Sequence, residues 1–195
     1  MTVKKIIILI PVYNDWKSVS QLLTEIDKNI KNLGANFSVF IVNDSSLEKQ
    51  SFQSSSLKNI KSLNVIHMKK NKGHARCIAT GLKYIFENEE FDYVIPMDGD
   101  GEDRPEEIKG FVEYLSYSSD QPIVAERVKR SESSLFKFCY SVHKILTFTF
   151  TGQSIKFGNY TCLPKSTVEK MINDKSTWSS FSGALTKLEK KKSAV

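Results

Sequence analysis

The sequence predicts an α/β fold in which a mostly parallel sheet is flanked by helices and forms a single domain. Continuous apolar runs, typical of strands buried on both faces, alternate with segments whose apolar residues repeat at helical spacing. The chain has 195 residues, the size of one domain, and 40% of them are hydrophobic, which is enough to bury a core. No internal repeat and no domain linker interrupts the alternation.

Each element is assigned from its own local pattern. The first strand is residues 6–10, a continuous apolar run that ends at Pro11, and the first helix carries an apolar stripe over residues 19–33 that stops at Gly34. Further elements follow in order: strands at 37–42 and 63–68, a helix over 75–86, a strand at 93–97 and a helix over 105–115. The pattern then predicts a short strand at 122–125, a long helix over 134–150, a strand near 155–163 and short helices.

Composition and charge indicate the cellular compartment of the protein and the kinds of partner that it binds. The net charge of +6 and the pI near 9.1 favour anionic partners, and they fit equally a basic surface without a specific partner. Three widely spaced cysteines without a Cys/His pattern predict neither a zinc site nor a disulfide framework, which fits a reducing cytoplasm. The apolar stretches at 6–12 and 145–155 are too short to span a membrane, and the first is also too short for a signal peptide.

An acidic run directly follows the predicted strand at 93–97. Six carboxylates lie between Asp98 and Glu107, and because like charges at this density repel one another, a bound cation would stabilise them. Asp98 and Asp100 are separated by one glycine and can direct their oxygens at one hard cation, Mg²⁺ or Mn²⁺. Open α/β sheets bind their ligands at such strand ends. The same residues also fit a solvated acidic turn that begins a helix.

Two further polar segments follow predicted strands. Asp44, after the strand at 37–42, can accept hydrogen bonds from a base or ribose, and it fits equally well as a turn residue or helix cap. The segment 71–76 begins the helix over 75–86, where Gly73 permits close backbone approach and Lys72 and Arg76 add positive charge for phosphates. It also fits an ordinary helix start, and His74 within it is assigned no proton-transfer role.

The order of these loops resembles family 2 glycosyltransferases with the Rossmann-like GT-A fold. The matching segments are 11–15 (PVYND), 43–46 (NDSS), 71–73 (NKG) with Gly81, and 98–100 (DGD), each after a successive strand. The resemblance is closest to the polyisoprenyl-phosphate branch, which is similar to dolichol-phosphate mannosyltransferase. It covers residues 4–130 well and extends weakly to about residue 188.

The resemblance implies a role for each matching residue. Nucleotide-binding positions would be Pro11, Tyr13, Asp15, Asp44, Lys72, Gly73, Arg76 and Asp98. The cation would be held mainly by Asp100, with Asp98 and Glu102 sharing the cation or the sugar. The chain departs from the family pattern at Asp15 (usually Glu), Asn43 (Asp), Ser45 (Gly) and Glu102 (Gln).

The acceptor side carries fewer matching residues. Arg127 and Arg130 resemble basic residues that meet donor or acceptor phosphates and, with Asp98 and Asp100, complete the predicted catalytic set; the arginines fit equally a solvated surface pair. Residues 157–160 lack the acidic residue often seen there, and residues 178–181 fit either an acceptor platform or core. Residues 1–130 are therefore expected to be the nucleotide-sugar-binding half, and residues 131–195 an acceptor-side half that looks truncated.

These features imply an inverting, metal-dependent transfer of a sugar from a UDP- or GDP-sugar to an acceptor. A polyprenyl phosphate is the favoured acceptor, because it is already ionised and needs no general base, and residues 153–166 contain no acid. Arg127, Lys129 and Arg130 would neutralise that phosphate, while Lys190–Lys192 would draw the domain to anionic lipid at the inner face of the membrane. The alternatives are a saccharide acceptor in cell-envelope polysaccharide synthesis and a non-catalytic nucleotide-sugar-binding subunit.

Two other classes are disfavoured. A nucleotidyltransferase of similar fold would carry a glycine-rich phosphate loop after its first strand, which the PVYND segment at residues 11–15 does not resemble. Nucleic-acid binding is also disfavoured, since the lysines are dispersed and no basic-aromatic motif is present.

Overall fold

A computed structural model describes residues 3–50, 57–115, 120–125 and 157–194. Seven strands in these ranges form a sheet: β1 Lys5–Val12, β2 Asn36–Asn43, β3 Ile60–His67, β4 Tyr93–Pro96, β5 Ile123–Val124, β6 Thr161–Pro164 and β7 Ser193–Ala194. The strand order is β3-β2-β1-β4-β6-β5-β7. The pairs among β1, β2, β3 and β4 are parallel, which confirms the mostly parallel sheet expected from the sequence.

Helices flank this sheet within the described ranges: α1 Trp16–Asn29, α2 His74–Asn88, α3 Ile108–Leu115, α4 Lys165–Ile172 and α5 Phe181–Leu188. Short 3₁₀ turns at Pro105–Glu107 and Lys175–Trp178 precede α3 and α5. None of the helices in these ranges combines the length and the apolar content needed to cross a bilayer. The predicted helix over residues 134–150 and the apolar stretch at 145–155 lie outside the described residues.

The sheet is buried because β1 presents apolar side chains to both of its faces. Ile6, Ile8 and Ile10 pack with α1 on one face, and Ile7 and Leu9 pack with α2 on the other. This double burial explains the continuous apolar run in the sequence. The helix stripe predicted to reach residue 33 ends earlier, at Asn29, because the chain turns through positive φ at Asn32 and Gly34.

Two contacts fix how the layers pack. Gly81 of α2 faces β1 and β2 so closely that a Cβ there would overlap Leu9 Cδ1 and lie 3.0 Å from Val42 Cγ2. Asp27 of α1 accepts hydrogen bonds from the backbone N–H groups of Asn59 (2.7 Å) and Ile60 (3.0 Å) at the start of β3. Burial pushes the Asp27 pKa upward, but these hydrogen bonds outweigh it and hold the pKa below its ordinary value.

The direction of β6 brings distant parts of the chain together. β6 runs antiparallel to β4, with Tyr93 opposite Pro164 and Val94 opposite Leu163. The residues just before β6 therefore lie at the edge where β1, β2 and β4 end. We call β1–β4 with α1 and α2 the parallel half, and β5–β7 with α4 and α5 the edge extension.

Candidate functional site

A cavity of about 250 Å³ opens at the carboxyl edge of the parallel strands. It is lined by Pro11, Val12, Tyr13, Asp15, His74, Asp98, Gly99 and Asp100. Five of these residues, Pro11, Tyr13, Asp15, Asp98 and Asp100, were predicted from the sequence to bind nucleotide or metal. The fold therefore gathers the loops after β1 and β4 around one opening, as expected for an open parallel sheet.

The loop after β1 forms the first wall of the cavity. Asn14 adopts a positive φ of 57° and is joined to the loop after β2, because its backbone N–H donates to Ser46 Oγ (2.9 Å) and its Oδ1 accepts from Leu47 N (2.7 Å). Asp15 caps α1 by accepting from Ser18 N. These bonds hold Tyr13, whose ring is 48% exposed, at the mouth of the cavity.

The acidic turn after β4 forms the opposite wall. Asp103 Oδ2 accepts from the backbone N–H of Asp98 (2.8 Å), and Asp100 Oδ1 accepts from that of Glu102 (2.9 Å). A Cβ at position 99 would lie 2.9 Å from the carbonyl oxygen of Pro11, so a glycine is needed where the two loops touch. Asp98 and Asp100 line the cavity, whereas Glu102 is exposed and does not, and its predicted share in cation binding stays a prediction.

Asp44 lies beside the cavity rather than in its lining. Its carboxylate is 3% exposed and accepts the backbone N–H groups of Lys72 (Oδ1, 2.7 Å) and Gly73 (Oδ2, 2.7 Å). Burial and the neighbouring Asp44 charge, with a hydrogen bond between the two side chains, raise the pKa of the Cys77 thiol to about 12. Asp44 therefore fixes the loop that leads into α2, and its contact with base and ribose stays a prediction.

The two cations on either side of Gly73 and His74 are exposed and lie outside the cavity lining. These cations, Lys72 and Arg76, form no ion pair with another described residue. Gly73 has φ of 85° and stands at the N-cap of α2. Contact of Lys72, Gly73 and Arg76 with phosphate therefore stays a prediction.

His74 and Asn159, which the sequence analysis did not include among the site residues, meet at Asp98. His74 Nε2 lies 3.2 Å from Asp98 Oδ1, and Asn159 Nδ2 lies 2.7 Å from His74 Nε2 and 3.2 Å from Asp98 Oδ1. The hydrogen bond with Asp98 raises the His74 pKa against the effect of burial, and the charges of Asp98, Asp100 and Asp103 act in the same direction. In the sequence, the one indication that His74 belongs to the site was its position directly after Gly73.

The segment that the sequence assigns to the acceptor side is anchored next to the acidic turn. Tyr160 donates its hydroxyl to the carbonyl of Arg104 (2.8 Å), and its ring packs edge-on against Phe111. Lys192 donates to the carbonyl of Glu189, while Lys190 and Lys191 are exposed. The predicted phosphate-binding residues Arg127, Lys129 and Arg130 lie outside the described residues.

This cavity can hold a divalent cation only if a bound ligand supplies some of the atoms that coordinate it. Among the described residues, no three His, Cys, Asp or Glu side chains are grouped as a metal site. Mg²⁺ and Mn²⁺ are, however, commonly held by one or two carboxylates together with substrate phosphates. Asp98 and Asp100 face the same opening and supply the two carboxylates that such a shared site needs.

The sequence of the chain is similar to enzymes that act on polyprenyl phosphates. It is 29% identical, over 83% of its length, to undecaprenyl-phosphate 4-deoxy-4-formamido-L-arabinose transferase of Proteus mirabilis, of which it covers 48%. It is 27% identical, over 64% of its length, to dolichol-phosphate mannosyltransferase of Pyrococcus furiosus, of which it covers 34%. The chain thus spans half or less of the length of these two relatives.

Solved structures share the fold at low sequence identity. TarS from S. aureus (residues 1–349) superposes with a TM-score of 0.63 at 15% identity, over 98% of this chain and 58% of TarS. The mannosyltransferase PcManGT from Pyrobaculum calidifontis, solved with GDP-Man and Mn²⁺, gives 0.57 at 14% identity, over 88% and 47%. The likeness confirms the GT-A fold. The profile described as glycosyl transferase family 2 matches residues 7–173, so the chain belongs to that family.

Proposed function

We propose that the chain is the donor-binding catalytic domain of an inverting, metal-dependent glycosyltransferase that uses a UDP- or GDP-sugar. The observation that carries the proposal is the cavity in which the carboxylates of Asp98 and Asp100 face the Pro11–Asp15 loop at the carboxyl edge of the sheet. Residues 1–130 form the donor half, and residues 131–195 form the acceptor half.

Different residues in and beside the cavity would bind different parts of the donor. Asp98 and Asp100 would hold Mg²⁺ or Mn²⁺ together with the diphosphate, and Glu102 would add negative charge beside them. The ring of Tyr13 packs against the nucleoside, while Asp44 keeps Lys72 and Gly73 in place beside the phosphates. The cation, when bound, neutralises charge on the departing diphosphate.

Inversion is the expected stereochemical outcome. The proposal assigns Asp98 and Asp100 to the cation, and Asp15 caps α1, so it assigns no carboxylate of the cavity as a covalent nucleophile. In a single displacement, an acceptor oxygen forms the new bond to the anomeric carbon as the bond to the diphosphate oxygen breaks. The electron pair of that bond leaves with the nucleoside diphosphate.

We further propose that the acceptor is a polyprenyl phosphate at the cytoplasmic face of a membrane. Support comes from the relatives named for undecaprenyl and dolichol phosphates and from the segment 157–166, which carries no carboxylate that could act as a base. A lipid phosphate is ionised at neutral pH and needs no such base. Arg127 and Arg130 would neutralise it, and Lys190–Lys192 would lie against anionic headgroups.

The test begins with donor binding. Melting temperatures are measured with UDP, GDP and their sugars, with and without Mn²⁺, because a ligand that binds the native state raises the melting temperature. Asp100→Ala is expected to lose the Mn²⁺-dependent rise while folding normally. The matched control is Glu87→Ala, which removes an exposed carboxylate of α2 whose ion-pair partner is Lys83. An unchanged Mn²⁺-dependent rise in Asp100→Ala would contradict the metal assignment.

Transfer is then measured with labelled donors and undecaprenyl or dolichyl phosphate in detergent. Label in the lipid fraction supports the acceptor assignment. Transfer to a saccharide with no label in the lipid would contradict it. Nucleotide binding without transfer or donor hydrolysis would instead indicate a non-catalytic binding subunit.

A further inference from the structure

Two neighbouring loops at the carboxyl edge of the sheet carry an exposed apolar side chain and a group of cations. The loop after β2 carries Leu47, which is 87% exposed, and the exposed Lys49. The loop after β3 carries Lys69 and Lys70, which are exposed as well. Because β2 and β3 are parallel neighbours, both loops leave the sheet at the edge where the cavity opens. We call Leu47, Lys49, Lys69 and Lys70 the rim patch.

The positive charge of the rim patch is not balanced by nearby acidic residues. Residues 57–86 contain seven lysines and arginines and no aspartate or glutamate. In the loop after β2, Asp44 is buried against the backbone of the next loop, and Glu48 is the one exposed acid among its described residues. The three lysines of the patch form no ion pair with another described residue. Such a surface favours an anionic partner.

Hydrogen bonds hold Leu47 in its exposed position beside the cavity. Its backbone N–H donates to Asn14 Oδ1 (2.7 Å), and the N–H of Ser46 donates to Asn43 Oδ1 (2.9 Å). Asn14 directly follows Tyr13, which lines the mouth of the cavity and is 48% exposed. A single exposed leucine is common on protein surfaces, but this one lies among unpaired cations and next to an exposed aromatic ring.

The combination of an apolar side chain with cations narrows the choice of partner. Lys69 and Lys70 lie outside the cavity lining, and a phosphate in solution offers no apolar surface to Leu47. A bilayer offers both, because buried apolar area and lysines near anionic headgroups each strengthen peripheral membrane binding. We propose that the rim patch docks the protein on an anionic lipid bilayer, with Leu47 entering the boundary between headgroups and acyl chains.

This inference rests on the proposed function, which places the acceptor phosphate at a membrane surface. The apolar chain of a polyprenyl phosphate stays in the bilayer, so the phosphate stays at the level of the headgroups and the cavity must open toward the membrane. The rim patch lies at the edge where the cavity opens and sets this orientation. It is separate from Lys190–Lys192, which precede β7 at the opposite end of the strand order.

The first experiment measures co-sedimentation of the unaltered protein with lipid vesicles in the absence of donor. One set of vesicles is phosphatidylcholine alone, and the other is phosphatidylcholine mixed with phosphatidylglycerol. We expect binding to the mixed vesicles only, and we expect that binding to weaken as salt is added, because salt screens exposed charges. Equal binding to the two sets, or binding to neither, overturns the proposal.

The second experiment compares two double charge reversals. Each lysine near an anionic membrane contributes about fivefold in affinity, so Lys69→Glu with Lys70→Glu should weaken vesicle binding at least about twentyfold. The control is Lys28→Glu with Lys31→Glu, an equal charge change on exposed lysines at the end of α1 farther from the cavity. Equal losses in the two variants would show that net charge alone governs binding, which overturns the proposal.

Both double variants are also tested for the rise in melting temperature with nucleotide and Mn²⁺. The four lysines lie outside the cavity lining, so this rise is expected in both and shows that both are folded. If the Lys69 and Lys70 reversals remove the rise while vesicle binding stays at the parent level, these lysines serve the donor and the proposal is overturned.

The third experiment tests the apolar contribution through Leu47→Ala. Loss of its buried methyl and methylene groups should weaken vesicle binding roughly tenfold or more. Unchanged, salt-sensitive binding would indicate a purely charged partner such as a nucleic acid and would overturn the proposal. Sugar transfer in detergent by a protein that ignores vesicles overturns this inference and leaves the proposed function standing. Vesicle binding without sugar transfer to any acceptor does the reverse.

Discussion

The parallel half and the edge extension contribute to the site in different ways. The parallel half supplies carboxylates from loops that follow apolar strands, and β1 and β2 pair over eight residues each. The edge extension supplies Asn159 from a segment held by strands of two to four residues. Both regions are anchored in the buried core, since Leu163 and Phe181 pack in the same apolar cluster as Leu9. The two regions therefore differ in the length of their strand pairing rather than in the depth of their burial.

The comparison indicates that a strand's direction can matter more than its length. β6 is short, but because it runs antiparallel to β4 its first residue lies beside the acidic turn. A parallel strand at the same place would have sent the segment before it to the opposite edge of the sheet. The predictions below compare matched substitutions in the two regions.

The largest loss of stability is expected when a buried side chain at the centre of the sheet is shortened. Ile8→Ala and Ile123→Ala remove the same atoms from fully buried sites in β1 and β5. Such truncations cost about 2–5 kcal/mol, and the cost is higher where surrounding residues cannot relax. We expect Ile8→Ala at the upper end and Ile123→Ala at the lower end in urea unfolding. Equal losses would mean that the edge is packed as rigidly as the centre.

A second comparison adds one methyl group to a helix in each region. Gly81→Ala forces a Cβ against Leu9 and Val42, and overpacking of this kind costs about 1–3 kcal/mol. Gly183→Ala in α5 meets only the Ser180 side chain at 3.0 Å, and alanine favours helix by about 1 kcal/mol. Thermal unfolding should therefore show a lower melting temperature for the first variant and an unchanged or higher one for the second.

A third comparison concerns two carboxylates that each accept two backbone N–H groups. Asp44→Asn and Asp27→Asn should both lower stability by about 1.5–3 kcal/mol, because a charged acceptor is lost. Asp44 lies beside the cavity, so its variant should also weaken nucleotide binding roughly tenfold or more, whereas the Asp27 variant should not. Calorimetry that gives the same nucleotide affinity for both would remove Asp44 from the donor site.

The smallest effect is a dependence of stability on pH. The Asp27 pKa is lowered in the folded protein, so its contribution is present above the unfolded value of about 3.9 and is lost as the pH falls through the folded pKa. The stability difference between the parent and Asp27→Asn should accordingly shrink as the pH is lowered below about 4. A difference that stays constant down to pH 2 would contradict the lowered pKa.

Sequence patterns were sufficient for β1, β2 and β4 because burial on two faces leaves continuous apolar runs. The edge strand β3 is only partly buried, and it begins at Ile60, three residues before the predicted run. Sequence patterns were not sufficient for β7, whose residues Ser193 and Ala194 carry no apolar pattern and form a strand only because β5 offers an edge. The end of α1 was overestimated for a related reason. Ile30 is buried and continues the apolar stripe, but it is the C-cap of α1: its N–H bonds to Ile26 O, and the helix does not continue beyond it.

The candidate site was likewise predictable from the sequence only in part. Loops next to strand ends could be placed from the sequence, and Asp98 and Asp100 do line one cavity. The contact between His74 and Asn159 joins residues 85 positions apart, and it depends on the antiparallel pairing of β6, which no local pattern encodes. Asp44 can be recognised in the sequence as a carboxylate at the end of a strand. The sequence does not show that it accepts the backbone N–H groups of Lys72 and Gly73.

The hydrogen bond from Ala125 N to Tyr160 O (3.2 Å) has a consequence for engineering and for evolution. The chain leaves the sheet after β5 and returns at β6, so the segment between them begins and ends at neighbouring points. Loop-closure entropy rises only slowly with length, by about 0.6 kcal/mol for each doubling. Connecting segments of different length can therefore join β5 to residue 157 at a small entropic cost, while residues 157–160 keep Asn159 against His74 and Asp98.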